Sequence, residues 1–215
     1  MRYFLLLLIA AVFIPGCGKD KNFDYSLTGV VKNARSLQPI SGVDIAVSQQ
    51  LLSGGTFNQN FNFLASTTTD GSGNYTLEFP RENAVAYRFD ASADEYIPRS
   101  FEFDQDDFEI DEPKAFNFSL YPEAFVEVHL SNQLPSTVSD VFSFRFDDAD
   151  FDCQCCNEEW KVIEGSDADT TFSCRLYGDT WLHYVTHLVA PETDTLIVDS
   201  LWCPAFQTSF IDIDY

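Results

Sequence analysis

The chain has 215 residues, a length that allows one or two domains of ordinary size. Its 34 acidic residues against 12 basic ones give a formal net charge of −22. Nucleic-acid binding is therefore not expected, because phosphate contacts require clustered Lys and Arg. Hydrophobic residues make up 45% of the chain and aromatic residues 15%, which is ample material for a packed core and argues against global disorder.

The first seventeen residues predict export. Arg2 supplies a positive charge, and residues 4–14 (FLLLLIAAVFI) then contain no polar side chain. A permanent helical span of the bilayer needs about 20 residues, so this run fits the apolar region of a secretory signal better. Ile14-Pro15-Gly16-Cys17 follows and resembles a bacterial lipobox, although Pro15 is a less usual residue within it.

The resemblance to a lipobox implies that Cys17 is acylated on its thiol and becomes the N-terminus after cleavage. Residues 1–16 would then be a lipoprotein signal peptide, and 17–25 a lipidated tether. Several acyl chains, each contributing about 0.8 kcal/mol per buried CH₂, would hold the protein on a membrane almost permanently. The expected location is the bacterial outer membrane, on its periplasmic or its surface face.

Beyond the tether, apolar and polar residues alternate with a period of two along many short segments. This alternation predicts strands with one buried and one wet face, as antiparallel sheets require. The apolar members, in chain order, are Val43-Ile45-Val47, Tyr75-Leu77-Phe79, Val85-Tyr87-Phe89, Phe116-Phe118-Leu120, Val126-Val128-Leu130, Phe142-Phe144-Phe146, Phe172-Cys174-Leu176 and Ile211-Ile213-Tyr215. The sequence therefore predicts an all-β protein built from antiparallel β-sandwiches.

Tyr121-Pro122-Glu123 interrupts the alternation and is the predicted domain boundary. It separates two segments of normal sandwich size, 26–121 and 122–215. We expect the second segment, which contains cysteines, to be an immunoglobulin-like sandwich. The linker is so short that the two domains are expected to touch.

The first segment carries a family resemblance. Leu27-Thr28-Gly29-Val30-Val31 is followed by residues 38–47 (QPISGVDIAV) and then by residues 67–77 (TTTDGSGNYTL). These motifs resemble the carboxypeptidase regulatory-like domain, which has a transthyretin-like (prealbumin-like) β-sandwich fold. The resemblance implies a structural or binding module that supplies no catalytic group.

The cysteines of the second segment are disulfide candidates. With Cys17 acylated, five remain: Cys153, Cys155, Cys156, Cys174 and Cys203. Export would place them in an oxidising compartment, where they can form two bridges and leave one thiol. We expect members of the 153–156 cluster to pair with Cys174 and Cys203, since adjacent cysteines bridge only with strain.

Two sets of residues resemble metal-ligand sets, and each has a simpler interpretation. A thiolate site that combines the cysteine cluster with His183 or His187 lacks zinc-ribbon spacing, and on a strand these two histidines stand about 13 Å apart. Asp148, Asp150, Asp152 and Glu159 match the ligand spacing of a calcium loop, but Cys153 occupies the position that needs Gly. A solvated acidic loop is the simpler interpretation, and calcium remains a weak candidate cofactor.

The sequence contains no nucleophile elbow, phosphate-binding loop or dinucleotide-binding motif. It therefore predicts a non-enzymatic, membrane-anchored envelope lipoprotein that acts as a binding or structural module, with envelope proteins or glycans as partners. Aromatic residues of the predicted 49–63 loop (Phe57, Phe61 and Phe63) could contact a partner, but we expect them to be buried. Two alternatives stay open: a calcium-dependent adhesion or recognition lipoprotein, and a hydrolase with an unrecognised site in the second domain.

Overall fold

The computed structural model describes residues 24–53, 56–110, 112–132, 140–147, 156–164 and 168–215, without the side chains of 52, 53 and 56–59. These residues form strands and one short 3-10 helix, Gln105–Asp107. The strands are β1 (Asp24–Asn33), β2 (Asp44–Ser53), β3 (Thr56–Thr68), β4 (Asn74–Pro80), β5 (Ala84–Ser92), β6 (Arg99–Asp104), β7 (Lys114–Ala115), β8 (Phe118–Leu120), β9 (Glu123–Ser131), β10 (Val141–Phe146), β11 (Lys161–Glu164), β12 (Asp169–Tyr177), β13 (Thr180–Ala190), β14 (Thr193–Cys203) and β15 (Thr208–Asp214).

The strands from β1 to β8 form the first sandwich. One sheet has the order β4-β1-β7, with β8 also paired to β1, and the other has the order β3-β2-β5-β6. Their facing side chains form one core that is unusually aromatic. Phe79 lies at its centre, with ring centroids 5.1–5.8 Å from those of Tyr25, Tyr87, Phe89 and Phe108. Such tilted and edge-on ring pairs add to the stabilisation that apolar burial provides.

The strands from β9 to β15 form the second sandwich. Its sheets have the orders β12-β9-β15 and β11-β10-β13-β14, and they enclose a separate core. The first core draws on residues from Tyr25 to Leu120, and the second on residues from Ala124 to Ile211.

The prediction of an all-β fold is confirmed, and the predicted alternation places most of the expected side chains in the two cores. Most strand pairs are antiparallel, but β1 pairs in parallel with β7 and β8, and β9 pairs in parallel with β15.

Val85 departs from its predicted face. It is exposed, although Tyr87 and Phe89 on the same strand are buried as expected. The pairing of β5 with β2 shifts its register between Gln50 and Leu51, and Val85 is the residue that this bulge skips. A bulge inserts one residue on one strand, so the alternation before it is out of phase with the alternation after it.

Most of the predicted 49–63 loop lies in the hairpin of β2 and β3. The expectation that its aromatic residues are buried is wrong for Phe63, which is exposed. Phe61 is partly covered by the guanidinium of Arg88, which lies 4.4 Å from its ring centroid. The side chain of Phe57 lies outside the described residues.

The two sandwiches contact each other beside the Tyr121–Glu123 linker, as expected. The rings of Tyr121 and Tyr177 stack with centroids 4.3 Å apart. Gly178 donates its backbone N–H to the carbonyl of Pro122 at 2.7 Å and accepts a hydrogen bond from the side chain of Arg35 at 3.3 Å. Stacked rings and backbone hydrogen bonds hold this junction.

Candidate functional site

The tryptophan side chains share one surface of the second sandwich. The chain contains three tryptophans, and Trp160, Trp181 and Trp202 are 44%, 55% and 42% exposed. Trp181 and Trp202 are cross-strand partners on β13 and β14, with ring centroids 5.6 Å apart. Tryptophan is a large apolar side chain that folding normally covers, so such exposure of every tryptophan indicates a contact surface.

Strand register defines the rest of this surface. Directly paired residues point to the same side of a sheet. Phe142 and Phe144 of β10 point into the core, so Ser143 and Arg145 point outward. Ser143 pairs with Val162 of β11 and with His187 of β13, and the latter pairs with Leu196. We call this outward surface of β11-β10-β13-β14 the tryptophan face; its apolar members are Trp160, Val162, Trp181, Val185, Val189, Leu196, Val198 and Trp202.

Val185 shows that part of this face is already covered. It is only 4% exposed, yet it does not belong to the core cluster of the second sandwich. It pairs with Arg145, whose guanidinium lies 5.0 Å from the ring centroid of Trp160. The same guanidinium is held 2.8 Å from a carboxylate oxygen of Asp147. Trp160 and Arg145 therefore cover the middle of the face and leave the β13–β14 side open.

The opposite outer surface of the second sandwich, on β12-β9-β15, carries mostly polar residues together with the exposed Phe125 and Phe210. The ring of His129 lies between two carboxylates, with Nε2 2.9 Å from Asp169 and Nδ1 3.3 Å from Asp212. The hydrogen bond to Asp169 is the main cause that raises the pKa of His129 above its usual value, and the Asp212 carboxylate adds to it. Among the described residues, tryptophans occur on the other sheet alone.

Carboxylates surround the tryptophan face. They lie before β11, at its end, in the β13–β14 turn and on β14, and all are exposed: Glu158, Glu159, Glu164, Glu192 and Asp194. Asp194 is 2.8 Å from Nε2 of His187 on the neighbouring strand. The region from Thr180 to Cys203 contains no Lys or Arg. An apolar surface with an acidic rim favours a partner that is apolar and basic.

The disulfide prediction is confirmed for one pair, Cys156 with Cys174. Cys174 lies on β12, and the bond fastens the segment at Cys156 against that strand. Cys203, at the end of β14, is buried, with its sulfur 3.8 Å from the carbonyl of Leu201. Cys153 and Cys155 lie outside the described residues.

Most of the other predicted site residues lie outside the part of the chain that the structure describes. Cys17 and the calcium candidates Asp148, Asp150 and Asp152 lie outside the described residues. Glu159 is exposed and accepts a hydrogen bond from Asn157 at 3.3 Å. Within the described ranges, no group of three His, Cys, Asp or Glu side chains is placed to hold a metal ion. The same ranges contain no helix with the length and apolarity to cross a bilayer.

Both candidate histidines lie on β13, as predicted for a strand. His183 pairs with Ser200 and His187 with Leu196, so each histidine faces the exposed side of the sheet. They belong to the tryptophan face, between its apolar members.

Sequence reasoning missed the three tryptophans as a functional group. A signal was present at residues 181–185 (WLHYV), where both phases of the alternation carry apolar or aromatic residues. A strand with only one buried face needs only one apolar phase, so a second apolar phase predicts a second contact surface.

Comparison with known proteins gives no family assignment. No family model and no curated protein match the chain. Among solved structures, it is similar to a 9R-lipoxygenase from Cyanothece (12% identity, 45% of this chain and 16% of that chain, TM-score 0.32). It is also similar to a streptococcal ancillary pilin (10% identity, 90% and 63%, TM-score 0.34) and to a minor pilin of Streptococcus agalactiae (14% identity, 88% and 94%, TM-score 0.35). The chain spans less than two thirds of the first two proteins, and at these TM-scores no argument about function follows.

Proposed function

We propose that this protein is a lipid-anchored module of the bacterial cell envelope that binds a partner through the tryptophan face and performs no catalysis. Residues 1–17 support the anchor, since the apolar run and the lipobox-like Cys17 occur together. In chain order, the first sandwich lies between the anchor and the binding surface. Its resemblance to carboxypeptidase regulatory-like domains supports a structural role for it.

The exposure of all three tryptophans on the tryptophan face, Trp181 and Trp202 from its strands and Trp160 from the residue before β11, carries this proposal. A fully exposed tryptophan presents roughly 250 Å², so the exposed fractions correspond to roughly 350 Å² of aromatic surface. At about 25 cal/mol per Å², covering it would contribute about 9 kcal/mol before the entropic cost of association. This area is comparable to the largest apolar patch on a typical monomer, roughly 300–600 Å², and such patches are often functional.

The binding surface is tested by site-specific photo-crosslinking in the native envelope. A benzophenone amino acid replaces Trp181 in one variant and Phe210 in another. Phe210 is the matched control because it is 60% exposed, similar to Trp181, but lies on the opposite sheet, β15. We expect adducts at position 181 at least five times more abundant than at 210, with either a protein or a glycan.

Equal adduct yields at positions 181 and 210 would contradict the assignment of the tryptophan face. Competition by the untagged chain distinguishes a saturable site from random collision.

The anchor has a separate test. Replacement of Cys17 with Ser removes the thiol that would carry the acyl chain, so we expect the protein to move from the membrane fraction to the soluble fraction. The measurement is fractionation followed by immunoblotting, with Cys203→Ser as the control that keeps the lipobox. A Cys17→Ser protein that stays with the membrane would reject the lipid anchor but not the binding surface.

A further inference from the structure

The strand β14 is a long sheet edge that carries one side of the tryptophan face. It is last in the order β11-β10-β13-β14, and no other described strand pairs with it. Its eleven residues pair with β13 from Thr193 to Cys203 without a register shift. An edge of this kind presents a row of backbone N–H and C=O groups to any strand that approaches. Near the C-terminal end, Asp199 accepts a hydrogen bond from the N–H of Ser200 at 2.7 Å, and Ser209 donates its hydroxyl to the carbonyl of Trp202 at 3.4 Å, so the open part of the row precedes Ser200.

Three other edge strands, β3, β11 and β12, carry features that block strand addition. The pairing of β3 with β2 contains two register shifts, which bend that edge. The edge strand β11 has only four residues and begins with Lys161. The edge of β12 is covered where Cys156 is bonded to Cys174 and its sulfur lies 3.8 Å from the carbonyl of Arg175. In contrast, β14 contains no Pro, no Lys and no register shift, and its charged residues, Asp194 and Asp199, oppose an acidic strand but not a basic one.

The side chains of β14 are exposed on both sides of the sheet. Leu196 and Val198 point outward on the tryptophan face, while Ile197 pairs with Thr186 on the inner side. The exposed fractions of Leu196, Ile197 and Val198 are 59%, 54% and 62%, so the tip of this hairpin extends beyond the cover of the facing sheet. An added strand would cover apolar side chains on both surfaces, because residues of neighbouring strands contact on each face.

The negative charge around β14 indicates which kind of segment would bind along it. The strand carries Asp194 and Asp199, Glu192 lies in the preceding turn, and no Lys or Arg occurs between Thr180 and Cys203. A second copy would bring the same carboxylates and another net charge of −22, which opposes pairing of two β14 edges. A partner with Lys or Arg is complementary at the edge and can place a cation on the exposed rings of Trp181 and Trp202.

From this combination we infer that β14 accepts an extended segment of another protein as an added β-strand, and that this segment alternates apolar residues with Lys or Arg. The inference rests on the proposed binding function and specifies its partner and its mode. Backbone hydrogen bonds along β14 supply affinity, and the side chains above and below supply selectivity.

The test uses the full chain and a synthetic eight-residue peptide in which Val alternates with Lys or Thr. Binding is measured by calorimetry. A peptide with Glu in place of Lys tests charge. A peptide N-methylated at every amide tests backbone pairing, and one methylated only at alternate amides is its control, because one edge of it can still form hydrogen bonds. We expect at least tenfold weaker binding for the acidic and fully methylated peptides, and less than threefold change for the half-methylated one.

Two chain variants complete the design. Val198→Lys places a positive charge, the same sign as that of the basic peptide, on the β14 edge and should weaken binding of this peptide at least tenfold. Phe210→Lys introduces a Lys at a similarly exposed site on the opposite sheet and should leave binding of the basic peptide unchanged.

Equal binding of the methylated and unmethylated peptides would overturn strand addition, while preferential crosslinking at position 181 would still support the tryptophan face. No binding of the basic peptide at millimolar concentration, or equal binding of the acidic one, would also overturn the inference. So would sedimentation of the unliganded chain as a dimer that Val198→Lys dissociates, because the occupant would then be a second copy.

Discussion

The bond between Cys156 and Cys174 should stabilise the second sandwich. It closes a loop with a sequence separation of 18 residues. In the chain-entropy model, a closed loop of this length restricts the unfolded state by about 3 kcal/mol. The double variant Cys156→Ala/Cys174→Ala should therefore lower the free energy of unfolding by about that amount. With a urea dependence of about 1.5 kcal/mol per M, the midpoint should fall by about 2 M.

Tryptophan fluorescence measures this effect selectively, because residues 160, 181 and 202 all lie in the second sandwich. Urea unfolding followed at tryptophan emission reports that sandwich. Unfolding followed by far-UV circular dichroism, to which the strands of both sandwiches contribute, provides the comparison. Reduction of the unmutated chain should shift the tryptophan transition at least as far as the double variant does. A midpoint change below about 0.3 M would refute the loop-closure argument.

Two further predictions concern the first sandwich and the sheet β12-β9-β15 of the second. Gly29→Ala would place a Cβ 1.9 Å from the backbone oxygen of Phe116, so it should lower the free energy of unfolding by about 2–3 kcal/mol, measured by urea unfolding followed by circular dichroism. The control Gly71→Ala meets no atom within 4 Å and should change the free energy of unfolding by less than about 0.5 kcal/mol. Equal losses in the two variants would contradict this prediction. Because the folded pKa of His129 is raised, its contribution to stability should be full below pH 6.5 and lost as the pH rises through the folded pKa. An NMR titration of the ring protons should show this raised pKa, and Asp169→Asn should lower it; an unchanged pKa in that variant would reject the hydrogen bond as its cause.

The strand pattern was predictable wherever only one phase of the alternation is apolar. Tyr75, Leu77 and Phe79 alternate with polar residues, and all three are buried as expected. Burial of one face is enough to fix such a strand, since a shift of one residue would expose the whole apolar set. Val85 could not be placed in this way, because the bulge that skips it depends on the register of β5 against β2.

Residues 181–185 show the limit of the pattern. Leu182 faces the core and Trp181 faces outward, yet both are apolar and either phase could have been buried. Packing in the tertiary structure decides between them: Leu182 is buried in the core of the second sandwich and Trp181 is left exposed. The cluster of His129 with Asp169 and Asp212 was equally inaccessible, since it joins residues that are distant in sequence.

The sequence by itself determined that this is an all-β protein, that its cysteines are suited to disulfide pairing and that its net charge is strongly negative. These properties follow from composition and from contacts between neighbouring residues. Only the tertiary structure decided that the tryptophans gather on one exposed face and that β14 is a long edge strand without a register shift. Strand order and register bring together residues far apart in the chain, and the alternation along any single strand contains no information about its neighbours.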